Sequence, residues 1–131
     1  MDIVVGFVES PEGEAALARA IEEARLRDGK VVLVHSKVGG DEDAADYVRS
    51  AAALEEAHQR LHTKGVEHCT HEYVRGRSPA EDLIATVETH DAELIVIGIR
   101  TRSATGKLLL GSNALDILHD ASVPVLCVKK S

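Results

Sequence analysis

The chain has 131 residues, a formal net charge of -7 and 44% hydrophobic residues, of which few are aromatic. A chain of this length can bury a core of its own, so we expect one domain spanning residues 1–131. The acidic balance argues against general binding to nucleic acids or anionic membranes, and no apolar run approaches the length of a membrane span. We therefore expect a cytoplasmic protein without a nucleic-acid or membrane partner.

The first half of the chain alternates apolar runs with helical patterns. The run from Ile3 to Val8 predicts a buried strand, and Ser10-Pro11-Glu12 predicts the capped start of a helix that ends at Asp28-Gly29. A second strand is predicted from Lys30 to His35. A longer helix follows from about Asp43 to Lys64, and four residues predict its apolar face: Val48, Ala51, Leu54 and Leu61.

The second half repeats this alternation. The more polar segment from Glu67 to Val74 predicts an edge strand, and Ser78 with Glu81 has the spacing of a capping box at the start of the third helix. The runs from Glu93 to Gly98 and from Val123 to Lys129 predict two further strands. The fourth helix is predicted between them, from Ser112 to Asp120.

Five strands alternating with four helices predict an α/β fold. Right-handed crossovers then give one open, mostly parallel sheet with helices on both faces. We expect the strand order 3-2-1-4-5, a Rossmann-like arrangement. Ligands of such sheets bind beyond the carboxyl ends of the strands, where the strand order reverses. The first and fourth strands should therefore flank the binding crevice.

The segment from Gly98 to Ser112 carries the strongest functional signal. It joins a predicted strand to a predicted helix, and no acidic residue occurs between Leu94 and Leu115. Glycines let a ligand approach the backbone, and a helix N-terminus offers free N–H groups and a positive dipole end. The segment contains neither G-x-x-x-x-G-K-[ST] nor G-x-G-x-x-G. It predicts an anion site that is not a P-loop or a dinucleotide fingerprint.

The chain resembles the universal stress protein family, whose fold belongs with adenine-nucleotide α-hydrolase-like α/β domains. The nucleotide motif of that family is G-x-x-G, nine residues, then G-[ST]; here Gly98 and Gly111-Ser112 stand in register around the nine residues 102–110. Three more segments carry the resemblance, which covers nearly the whole chain: Ala16-Leu17, the run from Val74 to Glu81, and the run from Pro124 to Lys129.

The resemblance implies an adenine-nucleotide site that binds ATP, with or without Mg²⁺. By position, the phosphates and ribose would meet Gly98, Gly111, Ser112 and the N–H groups near Asn113. The adenosine pocket would be lined by Gly6, Phe7, Val8, Ser36 and Ile97.

Three cations are added to this site on the ground of charge alone. Arg100, Arg102 and Lys107 lie in the same segment, and we expect at least one of them to contact a phosphate oxygen. The alternative for each is an ordinary solvated loop cation.

Two departures from the family pattern leave two functional hypotheses open. Nucleotide-binding members carry Asp where this chain has Val8, and Thr101 replaces the second glycine, although its hydroxyl could donate to a phosphate. The first hypothesis is an ATP-binding sensor or switch. The second is a nucleotide-independent module that binds an unknown protein partner. No residue is placed to activate a water, so at most a slow ATPase is expected.

The histidines and cysteines predict no metal site. His58 and His62 share a helix face, while His68 and His71 flank Cys69, and no full ligand set has convincing spacing. Cys69 and Cys127 are both expected as buried free thiols.

The resemblance also implies a homodimer. Family members commonly pair their last strands, which in this chain corresponds to the segment from Val123 to Val128. An unpaired apolar strand edge favours the same association.

Overall fold

The computed structural model describes residues 1–36, 44–73, 78–100 and 110–130. Within these ranges, strands and helices alternate as the sequence predicted. The elements are β1 (Asp2–Gly6), α1 (Pro11–Arg27), β2 (Lys30–Ser36), α2 (Ala44–Thr63), β3 (His68–Tyr73), α3 (Pro79–His90), β4 (Leu94–Ile99), α4 (Ser112–Asp120) and β5 (Val125–Lys129).

The five strands form one sheet in the order β3-β2-β1-β4-β5, as predicted. All pairings among these strands are parallel, so the sheet is more regular than the mostly parallel sheet expected. The order reverses between β1 and β4, which pair directly through Val4 and Ile95. This places the carboxyl ends of β1 and β4 side by side at the switch point.

Local signals in the sequence set the helix ends. The Ser10 hydroxyl accepts a hydrogen bond from the Gly13 amide at 3.0 Å, and Ser78 and Glu81 form the predicted capping box. Asp28 and Asp91 end α1 and α3 in the left-handed conformation, with φ of 52° and 51°. Aspartate tolerates this conformation better than most residues, so both helices stop without glycine at that position.

The first and last strands are shorter than predicted. β1 ends at Gly6, so Phe7 and Val8 lie beyond it, and Val8 is 57% exposed. β5 begins at Val125 because Pro124 has no N–H to donate; its carbonyl accepts from the Ile95 amide at 3.0 Å.

The apolar face predicted for α2 is wrong in its first half. Val48 is 63% exposed, and Ala51 is exposed as well. Leu61 and Ala57 are the buried residues, with Leu54 packed at their margin. At helical pitch Val48 lies about 120° around the axis from Leu54, which takes it off the buried stripe.

The core lies on both faces of the sheet. Side chains alternate along β1, so that Ile3 and Val5 pack beneath α1 and α2 while Val4 packs beneath α3 and α4. The second face includes Val32 and Val34 of β2. None of the helices in the described ranges is both long and apolar enough to cross a bilayer.

The two cysteines are free thiols, as predicted, but both are only partly buried. Each packs at the margin of the core beneath α3 and α4. Burial raises the pKa of the Cys127 thiol, which keeps that sulfur protonated at neutral pH.

Candidate functional site

A cleft of about 180 Å³ opens at the carboxyl ends of β1, β2 and β4. Residues from the starts of α3 and α4 close its other side, among them Pro79 and Ala114. Seven residues predicted from the sequence line it: Gly6, Phe7, Val8, Ser36, Ile97, Gly98 and Asn113. The walls are mostly apolar, which suits the face of a flat ring.

A second cleft of about 470 Å³ adjoins the first one. It shares Gly98, Asn113 and Ala114 with the first cleft and continues past Arg100 to Gly111. Small-ligand pockets usually occupy about 300–1,000 Å³, and the two adjoining clefts together fall within that range. We call the two together the strand-end cleft.

The beginning of α4 gives the strand-end cleft a positive end. Gly111 is the N-cap with φ of -69°, no side chain of the described residues caps the helix, and its first turn holds no acidic residue. The first N–H groups of a helix have no partner within the helix and carry partial positive charge. Ser112 and Asn113 are both exposed in this turn, but Ser112 is not part of the cleft lining.

Gly98 is required by the packing of α1. A Cβ atom at Gly98 would lie 2.2 Å from the carbonyl oxygen of Glu12, and one at Gly13 would lie 1.8 Å from that of Val8. The first turn of α1 therefore presses directly against the ends of β1 and β4. A Cβ atom at Gly111, in contrast, would meet nothing within 4 Å among the described residues.

Arg100 is partly engaged by a carboxylate. Its Nε donates to Glu12 Oε1 at 3.0 Å, while the Arg100 side chain remains 56% exposed. Hydrogen bonds from Ser10 and from the backbone, and then the Arg100 charge, lower the pKa of Glu12 and keep it ionised. Glu12 therefore combines a favourable position for a negative charge, the first turn of α1, with an ion pair at the cleft.

Asp82 is a polar residue beside the cleft that was not predicted from the sequence. Its side chain is 3% exposed, and the Ser36 hydroxyl donates to Asp82 Oδ2 at 2.7 Å. Leu83, predicted only as part of the apolar face of α3 and not as a site residue, lies close to Gly6: a Cβ atom at Gly6 would be 3.1 Å from Leu83 Cδ1. The sequence offered one signal for Asp82 and Leu83. Both follow the Ser78 N-cap by about one turn, so they lie at the end of α3 that faces the strand ends.

Three predicted residues, Thr101, Arg102 and Lys107, lie outside the described residues. Their predicted roles near the phosphates remain predictions.

The histidines are arranged differently from the sequence interpretation. The Thr70 hydroxyl and His58 Nε2 share a hydrogen bond of 3.0 Å, and the His58 and His68 rings pack at 5.5 Å between centroids. His62 is exposed on α2. Cys69 and His71 lie beside His90, a neighbour that their spacing in the sequence did not indicate.

A larger groove, of about 810 Å³, lies between α1 and α2 and away from the strand ends. Charges of both signs line it, including Glu22, Arg25 and Arg60, and Arg60 pairs with Glu14. We assign it no ligand, because it lies away from the carboxyl ends of the strands, where ligands of such sheets bind.

The sequence model of the Universal stress protein family matches residues 1–129. The chain belongs to the universal stress protein family. It is 41% identical over 128 residues to a universal stress protein of Mycolicibacterium smegmatis, covering 97% of this chain and 96% of that protein. A second universal stress protein of the same organism is 33% identical, and the match spans 47% of its length.

Solved structures of the family share the fold. A universal stress protein from Archaeoglobus fulgidus superposes with a TM-score of 0.84 at 41% identity, and the match covers 98% of both chains. A universal stress protein from the same organism in complex with dAMP superposes with a TM-score of 0.75 at 33% identity, again over 98% of both chains. The α/β arrangement derived above is therefore the fold of this family.

Proposed function

We propose that this universal stress protein binds an adenine nucleotide in the strand-end cleft and acts in the cytoplasm as a sensor or switch. The observation that carries the proposal is the cleft itself, which runs from an apolar pocket at β1 and β4 to the uncapped start of α4. The 33% identical universal stress protein in complex with dAMP supports an adenine nucleotide as the ligand.

The two ends of the cleft suit the two ends of a nucleotide. Phe7, Ile97 and Leu83 offer apolar surface to the base and ribose, and Ser36 with Asp82 provides polar groups beside them. At the other end, Arg100 and the amides of the first turn of α4 provide positive charge for phosphates. ATP, with or without Mg²⁺, would place its outer phosphates at this basic end. Arg102 and Lys107 belong to the same segment of the sequence and are proposed to contact these phosphates.

The described groups favour binding over catalysis. Asp82 is buried and accepts from Ser36, while Glu12 pairs with Arg100, so both carboxylates near the cleft have assigned partners. A general base must lie within hydrogen-bonding reach of the attacking water, and neither of these carboxylates lines the cleft. We therefore propose a binding protein with at most slow ATPase activity.

The proposed switch involves the segment 99–111, which joins β4 to α4. Bound phosphate would fix this segment against the first turn of α4 and so change the surface that a protein partner contacts. Hydrogen exchange of its amides with and without ATP tests this step. Identical exchange, together with identical partner affinity, would contradict the switch and leave the binding proposal standing.

The binding proposal is tested by calorimetric titration of the nucleotide-stripped protein with ATP, AMP and GTP. Asn113 is exposed and lines both parts of the cleft, so Asn113→Trp should obstruct it. His119→Trp, on an exposed position of the same helix, is the matched control. We expect saturable binding of the adenine nucleotides that Asn113→Trp loses and His119→Trp retains. No heat from the folded wild type, or equal binding by both variants, would refute the proposal.

A nucleotide-independent interaction module is the second candidate. The observation that favours it is Val8, an apolar side chain 57% exposed at the mouth of the cleft where related nucleotide binders carry Asp. It predicts that no nucleotide binds while a protein partner still does. The titration described above separates the two candidates.

We propose a homodimer through the last strand as the assembly. β5 stands at the edge of the sheet, and because the Pro124 carbonyl faces β4, the amide of Val125 faces the open edge. Val125→Pro should remove that donor and give a monomer by light scattering, whereas Val125→Ala should remain dimeric. A monomeric wild type at micromolar concentration would contradict this assembly.

A further inference from the structure

Three potential metal-ligating side chains converge on the face of the sheet covered by α3. Cys69 and His71 occupy alternate positions of β3 and pair with Val32 and Val34, which both pack beneath α3. His90 is the last residue of α3. One ligand atom from each of Cys69, His71 and His90 lies within 4.8 Å of the others, and all three residues are partly buried.

The Nε2 atoms of the His71 and His90 imidazoles face each other. His71 Nε2 and His90 Nε2 are 2.7 Å apart, and the rings meet edge to face with centroids 4.9 Å apart. Such a contact needs one proton between two lone pairs. A metal ion can replace that proton, since both nitrogens then act as ligands.

A carboxylate supports the far side of His90. Asp2 Oδ2 lies 3.4 Å from His90 Nδ1, the nitrogen opposite the one that faces His71. Metal-bound histidines characteristically donate the other ring N–H to a carboxylate, which fixes the tautomer and the ring orientation. This arrangement is a second observation that points to a metal, independent of the convergence of the three ligands.

The local charges are compatible with a divalent cation. Lys30 is close enough to His71 for its positive charge to act on the imidazole. The positive charge of Lys30 opposes the binding of a cation, whereas the negative charges of the Asp2 carboxylate and of a Cys69 thiolate would favour it.

We propose that Cys69, His71 and His90 bind Zn²⁺, with Asp2 as the positioning residue behind His90. One thiolate and two imidazoles match the borderline-soft preference of zinc. Three ligands from the described residues leave the fourth tetrahedral position to water. Tetrahedral zinc separates two nitrogen ligands by about 3.3 Å, so the imidazoles must open by about 0.6 Å, well within side-chain adjustment.

The zinc site is separate from the strand-end cleft. Asp2 starts β1, and Gly6 at the opposite end of the strand lines the cleft. Likewise α3 begins with Pro79 at the cleft and ends with His90 at the zinc site, about 17 Å further along its axis. The inference therefore does not depend on nucleotide binding, and zinc should bind equally with the cleft empty or filled.

The test is a titration of the full chain, freed of metal and of any affinity tag, with Zn²⁺ by calorimetry and with Co²⁺ by absorption. The reductant should be one that does not bind metal. We expect one ion per chain and a Co²⁺ spectrum with tetrahedral d–d bands and a thiolate charge-transfer band. Zinc should also raise the melting temperature, because it binds only the folded protein with this geometry.

Four variants separate a site from incidental binding. Cys69→Ser should lose the charge-transfer band, and His90→Gln should weaken zinc binding by at least tenfold. Asp2→Asn should weaken it by about 10–100-fold while leaving the spectrum tetrahedral. His62→Ala, which removes an exposed histidine elsewhere, is the control and should match the wild type.

Three results would overturn the inference. The first is the absence of zinc binding by the folded wild type. The second is unchanged affinity in both Cys69→Ser and His90→Gln, which would place the ion elsewhere. The third is an equal loss in His62→Ala, which would indicate diffuse binding to histidines. Circular dichroism of each metal-free variant shows whether it has folded.

Discussion

Gly98 and Gly111 belong to one sequence motif but differ completely in their surroundings. At Gly98 the backbone of α1 fills the place of a side chain, with Glu12 O 2.2 Å from where a Cβ would lie. At Gly111, which lines the strand-end cleft, no atom of the described residues comes within 4 Å of that place. The first glycine is required by packing, whereas the second, under the proposed function, leaves room for the phosphates. A glycine motif therefore combines two physical requirements that sequence alone does not separate.

The largest expected effect is on stability. Gly98→Ala places a methyl group against the carbonyl of Glu12, and backbone cannot move aside as a side chain can. We expect a loss of at least about 3 kcal/mol in the free energy of unfolding, at the upper end of overpacking effects. Gly111→Ala should change that free energy by no more than about 0.5 kcal/mol. Urea denaturation of both variants measures the contrast, and equal losses would abolish the distinction between the two glycines.

The next effect concerns the mouth of the cleft near α1. Val8→Asp adds a carboxylate that can accept hydrogen bonds from the ribose of a bound nucleotide. Hydrogen bonds to charged groups contribute about 1.5–3 kcal/mol, so we expect affinity for adenine nucleotides to rise on the order of tenfold. Titration calorimetry measures it, with Val8→Ala as the control for loss of the apolar side chain. Unchanged affinity in Val8→Asp would mean that the ligand does not reach this position.

The smallest effect concerns the ion pair between Glu12, in the first turn of α1, and Arg100, which lines the strand-end cleft. Arg100 Nε lies 3.0 Å from Glu12 Oε1, so Glu12 would compete with a bound phosphate for the guanidinium. We expect Glu12→Gln to bind ATP a few-fold more tightly than the wild type and Arg100→Gln to bind it a few-fold more weakly. Both differences should shrink at high salt, because exposed charges are screened. If Glu12→Gln weakened and Arg100→Gln strengthened ATP binding, or if both variants matched the wild type at low salt, Arg100 would not contact a phosphate.

Most of the fold could be predicted because local patterns determine it. Buried strands appear as short apolar runs, and Ser10 and Ser78 mark helix starts through their own hydrogen bonds. Errors arose where apolar character continues past an element. Phe7 and Val8 extend the apolar run of β1 but not its strand, and Val48 is apolar yet lies off the buried stripe of α2.

In the candidate site, the strand ends and the start of α4 were predictable, but the side formed by α3 was not. The resemblance to the family named Gly6, Ile97 and Gly98, and all three lie at the topological switch point. Asp82 contacts Ser36 across 46 positions in the chain, a distance at which spacing gives no signal. The pairing of His71 with His90 depends in the same way on how α3 lies on β3. Contacts between elements require the fold itself, whereas contacts within an element do not.

The most direct test of the nucleotide site is the affinity of Gly111→Val for ATP and AMP, measured by calorimetry beside the wild type. Gly111 has φ of -69°, an ordinary value for valine, and no atom of the described residues lies within 4 Å of its Cβ position, so the variant should melt at the wild-type temperature. We predict that it loses adenine-nucleotide binding by at least tenfold, since the added side chain enters the phosphate path. Wild-type affinity in a fully folded Gly111→Val would contradict the proposal that phosphates bind at the start of α4.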